Sequence, residues 1–221
     1  LCSRTVLARD VAVEMGATFP YEHPLHERIV AFVARVHDVL GVGHGPTHTE
    51  VIVAPDGEIE LVELNLRFAG ADVLAAMDAA CGGLEDQACD AGAARLGRPG
   101  AGVPLGSVTD QLVALSTGAF PAFPARWDRF ACLQYVLAPA GLRRLDSLEL
   151  PSDVDLPFVK IIKPPGSELT STDRQLDWIA GFVVCGATHA EALARADDVR
   201  RRTLVNGVPL GDDPNNIVIG R

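Results

Sequence analysis

Glu50, Glu63, Asn65 and Arg67 are the residues of this 221-residue chain whose types and spacing could do chemistry. Two carboxylates and a neutral amide offer oxygen ligands to a hard divalent cation such as magnesium, which keeps several waters and usually takes one or two protein carboxylates together with substrate phosphates. A guanidinium beside them would present a planar fork that matches phosphate oxygens two at a time. His48 stands two residues before Glu50, either as a substrate or supporting contact or as a hydrogen-bonded structural histidine. The competing reading of the whole group is a solvated polar face on an exposed strand.

Such a group works only if the chain brings it together, and residues 48–67 read as a β-hairpin that does so. Two runs rich in Val, Ile and Leu flank Asp56-Gly57, a dipeptide suited to the positive φ angles of a type I′ turn. With those two residues as the loop, Pro55 faces Glu58, Val53 faces Glu60, and Glu50 faces Glu63. Alternation then puts His48, Glu50, Ile52, Ile59, Leu61, Glu63, Asn65 and Arg67 on one face. Thr49, Val51, Val53, Val62, Leu64 and Leu66 form the other, which is expected to be mostly core. Like charges opposed across two strands destabilise a sheet, so a cation is expected between Glu50 and Glu63.

The run Gly45-Pro46-Thr47-His48-Thr49-Glu50-Val51, followed by Glu63-Leu64-Asn65-Leu66-Arg67 and then Gly70, resembles the end of the ATP-grasp fold. It is most similar to the carboxylate–amine ligases of that family that join amino acids. The resemblance implies that Glu50, Glu63 and Asn65 hold magnesium, or manganese in its place, on the phosphates of ATP. It implies that Arg67 stabilises the transferring phosphoryl group, that Gly70 lies against the substrate, and that Glu14, shortly before Phe19-Pro20, contributes to the substrate pocket. Leu66 stands where the family most often has proline, and Ala69-Gly70 where a glycine pair is usual. Ala17 stands where a histidine is expected, which weakens the case for Glu14 against a plain surface glutamate.

The implied fold class is α+β: the C-terminal part of an ATP-grasp domain over 1–117, an antiparallel sheet with packed helices, then a small α+β lid over 118–221. The implied reaction joins a carboxylate, an amino acid in the ligases it resembles, to an amine through an acyl phosphate. Two alternatives stay open, a carboxylase of the biotin-carboxylase kind and a non-catalytic piece that binds metal or a partner. The chain opens Leu1-Cys2-Ser3-Arg4 with neither an initiator methionine nor a signal-peptide pattern, which reads as a fragment. The resemblance likewise implies an N-terminal half, with nucleotide-contacting lysines, ahead of it. A homodimer is compatible with the sequence.

Composition narrows the class. An apolar fraction of 48% supports a buried core, and a net charge of −10 argues against nucleic acid and anionic membranes as partners. No apolar run is long enough to span a bilayer. Cys2, Cys81, Cys89, Cys132 and Cys185 form no CxxC pair and read as free, mostly buried thiols in a reducing, cytoplasmic setting. None is assigned to catalysis.

Around the hairpin, residues 6–15 alternate as a strand ending at Gly16. Residues 24–40 carry apolar side chains at helical spacing, with Pro24 at the start, Gly41 as the stop and one face expected against the sheet. Glycine-rich 41–45 is a loop leading into a strand, so it is not a dinucleotide fingerprint, which opens a helix. Helices are expected over 73–80, 84–96 and 108–115, with a linker over 97–106. Strands follow over 130–137, 142–145, 158–162 and 176–184, then a helix over 187–203. Lys163 is left outside the site, and 212–216 reads as a polar turn.

Overall fold

The computed structural model describes residues 1–7, 13–70, 72–81, 108, 111, 112, 115, 129–170, 177–216 and 218–220, with backbone only at 5–7 and 218–220. The expected helix over 84–96 and the linker over 97–106 lie outside these residues, as does half of 108–115. The chain divides into two compact units.

The first unit comprises Leu1, residues 22–74 and 83–124. Its helix α1 (His26–Leu40) ends where expected, at Gly41, whose φ of 68° is the left-handed conformation that closes a helix. The ladder β3 (His48–Val53) and β4 (Ile59–Asn65) forms the hairpin. Helix α1 lies along it: Leu25 and Arg28 approach Gly57 at the turn, and His37 Nε2 lies 3.4 Å from Thr49 Oγ1 and 3.3 Å from Thr47 Oγ1 towards the open end. Thr49 therefore faces the helix. The neighbouring side chains His48 and Glu50 are turned to the opposite face by the two-residue alternation of a strand.

The turn is not type I′. Gly57 N–H donates to Ala54 O, Ala54 N–H donates to Glu58 O, and Gly57 alone takes a positive φ, 86°. This is a three-residue loop, Pro55-Asp56-Gly57, with proline in the position whose φ it pre-sets and glycine in the left-handed one. The ladder consequently starts one residue out of the expected register, with Val53 facing Ile59 and Ile52 facing Glu60. An irregularity between Glu50 and Val51 restores it, so that Glu50 faces Glu63 and His48 faces Asn65. The expected faces hold only at the open end. Near the turn, Ile59 and Leu61 share a face with Val53 and Val51, and no hairpin side chain is fully buried: Val62, expected in the core, is 52% exposed.

The second unit comprises residues 2–21, 75–82 and 125–221. It is built on a six-stranded antiparallel sheet in the order β13-β1-β2-β5-β10-β8. The strands are β1 (Ser3–Leu7), β2 (Glu14–Phe19), β5 (Phe130–Leu137), β8 (Phe158–Ile161), β10 (Trp178–Gly186) and β13 (Val218–Gly220). This sheet joins strands from both sides of the expected boundary at 117/118. Gly16, expected to end a strand, sits inside β2 at φ 147°, and a Cβ there would lie 2.0 Å from Leu133 O on β5. Glycine is required because the neighbouring backbone occupies the side-chain position.

Helix α3 (His189–Arg202) begins at Thr188, whose hydroxyl accepts from Glu191 N–H, while Glu191 Oε2 accepts from Ala187 N–H. Ala192, Ala196 and Val199 recur along one side and join Cys132, Val136, Phe182 and Val184 in the main core. Residues 75–81 of helix α2 (Val73–Cys81) belong to this unit, with Cys185 Sγ 3.7 Å from Ala79 O. Short ladders complete the fold. β6 (Arg144–Leu145) pairs with β9 (Ser167–Glu168), and β11 (Leu204–Val205) joins β7 (Leu148–Glu149) to β12 (Val208–Pro209). Residues 212–216 are not an ordinary polar turn. Asn216 is fully buried, accepts from Leu137 N–H and donates to Leu137 O, standing in for the missing strand at the end of β5.

Candidate metal centre

The open end of the hairpin gathers three potential ligands. Ligand atoms of His48, Glu50 and Glu63 all lie within 4.8 Å of one another. His48 Nε2 is 3.5 Å from Glu50 Oε1, and His48 Nδ1 is 3.8 Å from Glu63 Oε1. Asn65, across the ladder from His48, donates its amide to Glu63 Oε1 at 2.8 Å. That bond fixes one carboxylate and leaves the Asn65 carbonyl oxygen as a further hard donor. Local structure explains the gathering: β3 is held by His37 on its helix side, so its other face must carry His48 and Glu50 together.

The residues fit a divalent cation. The carboxylate and amide oxygens match a hard cation, and His48 Nδ1 is enclosed with no hydrogen-bond partner. A buried ring nitrogen left unpaired forfeits its solvation, and a bound cation is one partner that would satisfy it. Opposed carboxylates make the same demand from the electrostatic side.

The other sequence-derived candidates fall differently. Strand β4 stops at Asn65, so Arg67 lies beyond the strand and alternation does not place it on the carboxylate face. Its Nη1 donates to Phe68 O, and the side chain is exposed. Gly70 is exposed, and its carbonyl accepts from Val73 N–H at the start of α2. Glu14 belongs to the second unit, where it lies 3.8 Å from Arg4 Nε and its backbone carbonyl accepts from the Trp178 indole. Lys163 is 3.4 Å from the buried Asp177.

Two of the described thiols, Cys81 and Cys132, are unsuited to nucleophilic work. Burial, with a smaller contribution from Cys2, pushes the Cys132 thiol up to about 12, and burial followed by Asp78 pushes Cys81 up to about 11. Both stay protonated at neutral pH, and the thiolate is the reactive form. Sequence reasoning leaves His48 as either a substrate or supporting contact or a structural histidine and misses its enclosed nitrogen. The signal was present in the pairing of positions 48 and 65, which puts His48 level with the amide ligand.

No family model matches the chain, and no curated protein matches it. Solved structures do. The chain is similar to phosphoribosylglycinamide synthetase from Anaerococcus prevotii, with a TM-score of 0.67 at 12% identity, covering 92% of this chain and 52% of that one. It is similar to L-amino acid ligase from Bacillus licheniformis, with a TM-score of 0.66 at 12% identity over 92% and 50%. The biotin carboxylase domain of the Hydrogenobacter thermophilus 2-oxoglutarate carboxylase, solved with MgADP and bicarbonate, matches with a TM-score of 0.57 at 12% identity over 92% and 45%. The chain spans about half the length of these structures. The fold they share with it is that of the ATP-grasp enzymes.

Proposed function

We propose that this chain, with the ATP-grasp fold over about half the length of its structural neighbours, is the half of a carboxylate–amine ligase that holds the metal and the transferred phosphoryl group. The observation that carries the reading is the facing pair Glu50 and Glu63 with Asn65 hydrogen-bonded to one of them. Glu50, Glu63 and the Asn65 carbonyl would hold magnesium, or manganese in its place, and the ion would offset charge on the phosphate oxygens of ATP. Phosphoryl transfer asks the protein for positioning and charge neutralisation more than for a covalent group.

The proposed reaction has two steps. A substrate carboxylate oxygen attacks the γ-phosphorus of ATP, the bond to the bridging oxygen breaks, and an acyl phosphate and ADP result. The nitrogen of an amine then attacks the acyl carbon and loses a proton, and phosphate leaves as the amide forms. Arg67 pairs with the phosphoryl oxygens through the N–H groups that Phe68 does not occupy. Gly70 gives the substrate a close approach. An amino acid is the proposed carboxylate substrate, on the likeness to the L-amino acid ligase. The N-terminal half of the fold is proposed to come from sequence ahead of Leu1.

Expression of the full reading frame, with amino acid pairs screened for magnesium-dependent ADP release, tests the proposal. Glu63→Gln is expected to cut that release by about three orders of magnitude while leaving the circular dichroism spectrum unchanged. Near-normal turnover in this variant would remove Glu63 from the mechanism. ADP release that instead requires bicarbonate would favour the carboxylase reading, which the third structural neighbour supports.

A further inference from the structure

We infer that His48 is itself a metal ligand, so that the centre is a mixed nitrogen and oxygen site that prefers a borderline first-row ion such as Mn²⁺ to Mg²⁺. The inference rests on the proposed metal role of Glu50 and Glu63 and adds a ligand to it.

Three observations carry it. First, the His48 ring lies between the two carboxylates, with one nitrogen 3.5 Å from Glu50 and the other 3.8 Å from Glu63. Both separations are too long for hydrogen bonds. An imidazole gives one ion only one nitrogen, and one nitrogen of His48 with one oxygen of each carboxylate all lie within 4.8 Å of one another, close to the spacing of ligands on one ion, which at bonds of about 2.1 Å is about 3.0 Å for neighbouring positions and about 4.2 Å for opposite ones. Second, Nδ1 is enclosed and has no hydrogen-bond partner. A histidine kept for structure would donate or accept there. Third, the ring is carried on the same face and at the same end of the hairpin as Glu50, with Asn65 directly across. No rearrangement of the ladder is needed to bring the three side chains to one ion.

The donor set then sets the preference. Magnesium favours all-oxygen coordination and gains little from an imidazole, whereas ions along the first transition row bind nitrogen increasingly well. Replacing one water by His48 therefore favours Mn²⁺ over Mg²⁺ without changing the carboxylates.

The test uses the 221-residue chain and Mn²⁺ alone, read by electron paramagnetic resonance. The protein is expected to bind Mn²⁺ and to show ¹⁴N coupling from a directly bound imidazole in pulsed spectra. His48→Gln is expected to abolish the coupling and weaken Mn²⁺ roughly tenfold, while Mg²⁺, measured by competition, changes less than about twofold. His44→Gln, removing the histidine four residues earlier in the chain, should leave the coupling intact. His48→Asp supplies an oxygen in place of nitrogen, so it is expected to bind Mn²⁺ without coupling and to shift the preference towards Mg²⁺. Mn²⁺ bound without ¹⁴N coupling in the wild-type chain, and lost in Glu50→Gln, would overturn the role of His48 and leave the carboxylate site standing. Absence of Mn²⁺ binding, or binding unaffected by Glu50→Gln, would overturn both.

Discussion

Gly70 shows how a single residue separates a structural requirement from a functional one. Its φ lies outside the left-handed range, and a Cβ added there would meet only Arg67 Nη1, at an ordinary 3.8 Å. Neither conformation nor described neighbours demand glycine, in contrast to Gly16, where the β5 backbone does. Space beside a guanidinium is what a ligand would use. Gly70→Ala is therefore expected to change stability by less than about 0.5 kcal/mol in urea melts, yet to lower kcat/KM of the complete enzyme about tenfold or more. An equal loss of stability and activity would return Gly70 to a plain turn. Gly16→Ala should instead fail to fold, since the obstructing atom is main chain and cannot move aside.

At the level of elements, the sequence made the pairing of Glu50 with Glu63 legible through an inexact route. Asp56-Gly57 carries the signal of a two-residue loop, but Pro55 takes the turn position its ring favours, and the loop grows to three residues. The extra residue is cancelled at the irregularity beside Glu50, which no local pattern announces. Residues 130–137 and the helix expected over 187–203 were legible because a run of apolar residues and the recurrence of Leu193, Val199 and the alanines are local signals. The pairing of β2 with β5 was not legible, because it links residues more than 100 positions apart. Nor was the burial of Asn216, since an asparagine in a polar run carries no mark of the strand end it will satisfy.

Helix α3 also carries a prediction of its own. Burial alone would raise the Asp197 carboxyl, but hydrogen bonds from Arg200 and Arg201 outweigh it and hold the group below its ordinary value of 3.8. A depressed carboxyl stabilises the fold above its unfolded value, and that contribution is lost as pH falls through the lower folded value. Arg200 is 2% exposed, and neutralising Asp197 would remove its counter-charge and leave its guanidinium only neutral acceptors, the oxygen of residue 197 and the Gly211 carbonyl. Asp197→Asn is expected to cost roughly 1 to 2 kcal/mol at neutral pH, short of the full cost of a stranded buried charge because Asp197 is half exposed. Denaturant melts should show the difference from wild type shrinking as pH falls below about 4. A constant difference across that range would assign the loss to packing and not to the ion pairs.

Across the whole molecule, apolar burial is divided unequally between the two units. Eleven large hydrophobic residues are exposed among the described residues, and seven lie between Val30 and Leu66, on α1, the hairpin and the residue that follows it. The first unit buries Ile29 on α1 and no residue of its two-stranded ladder, whereas β5 and β10 of the second unit are buried almost throughout. An isolated two-stranded ladder is marginal in water, and low burial lowers the cost of local opening. Hydrogen exchange on this chain is expected to give opening free energies on the order of 1 to 3 kcal/mol for β3 and β4, with β5 and β10 approaching the global value. Because the chain spans about half of its structural neighbours, the same measurement on the full reading frame separates two accounts. Protection that rises in β3 and β4 alone would show that upstream sequence covers the apolar side of the hairpin, placing the metal centre in a closed site. Unchanged exchange there would mean that the hairpin works as an exposed arm, and the proposed division of the enzyme into two halves would have to be abandoned.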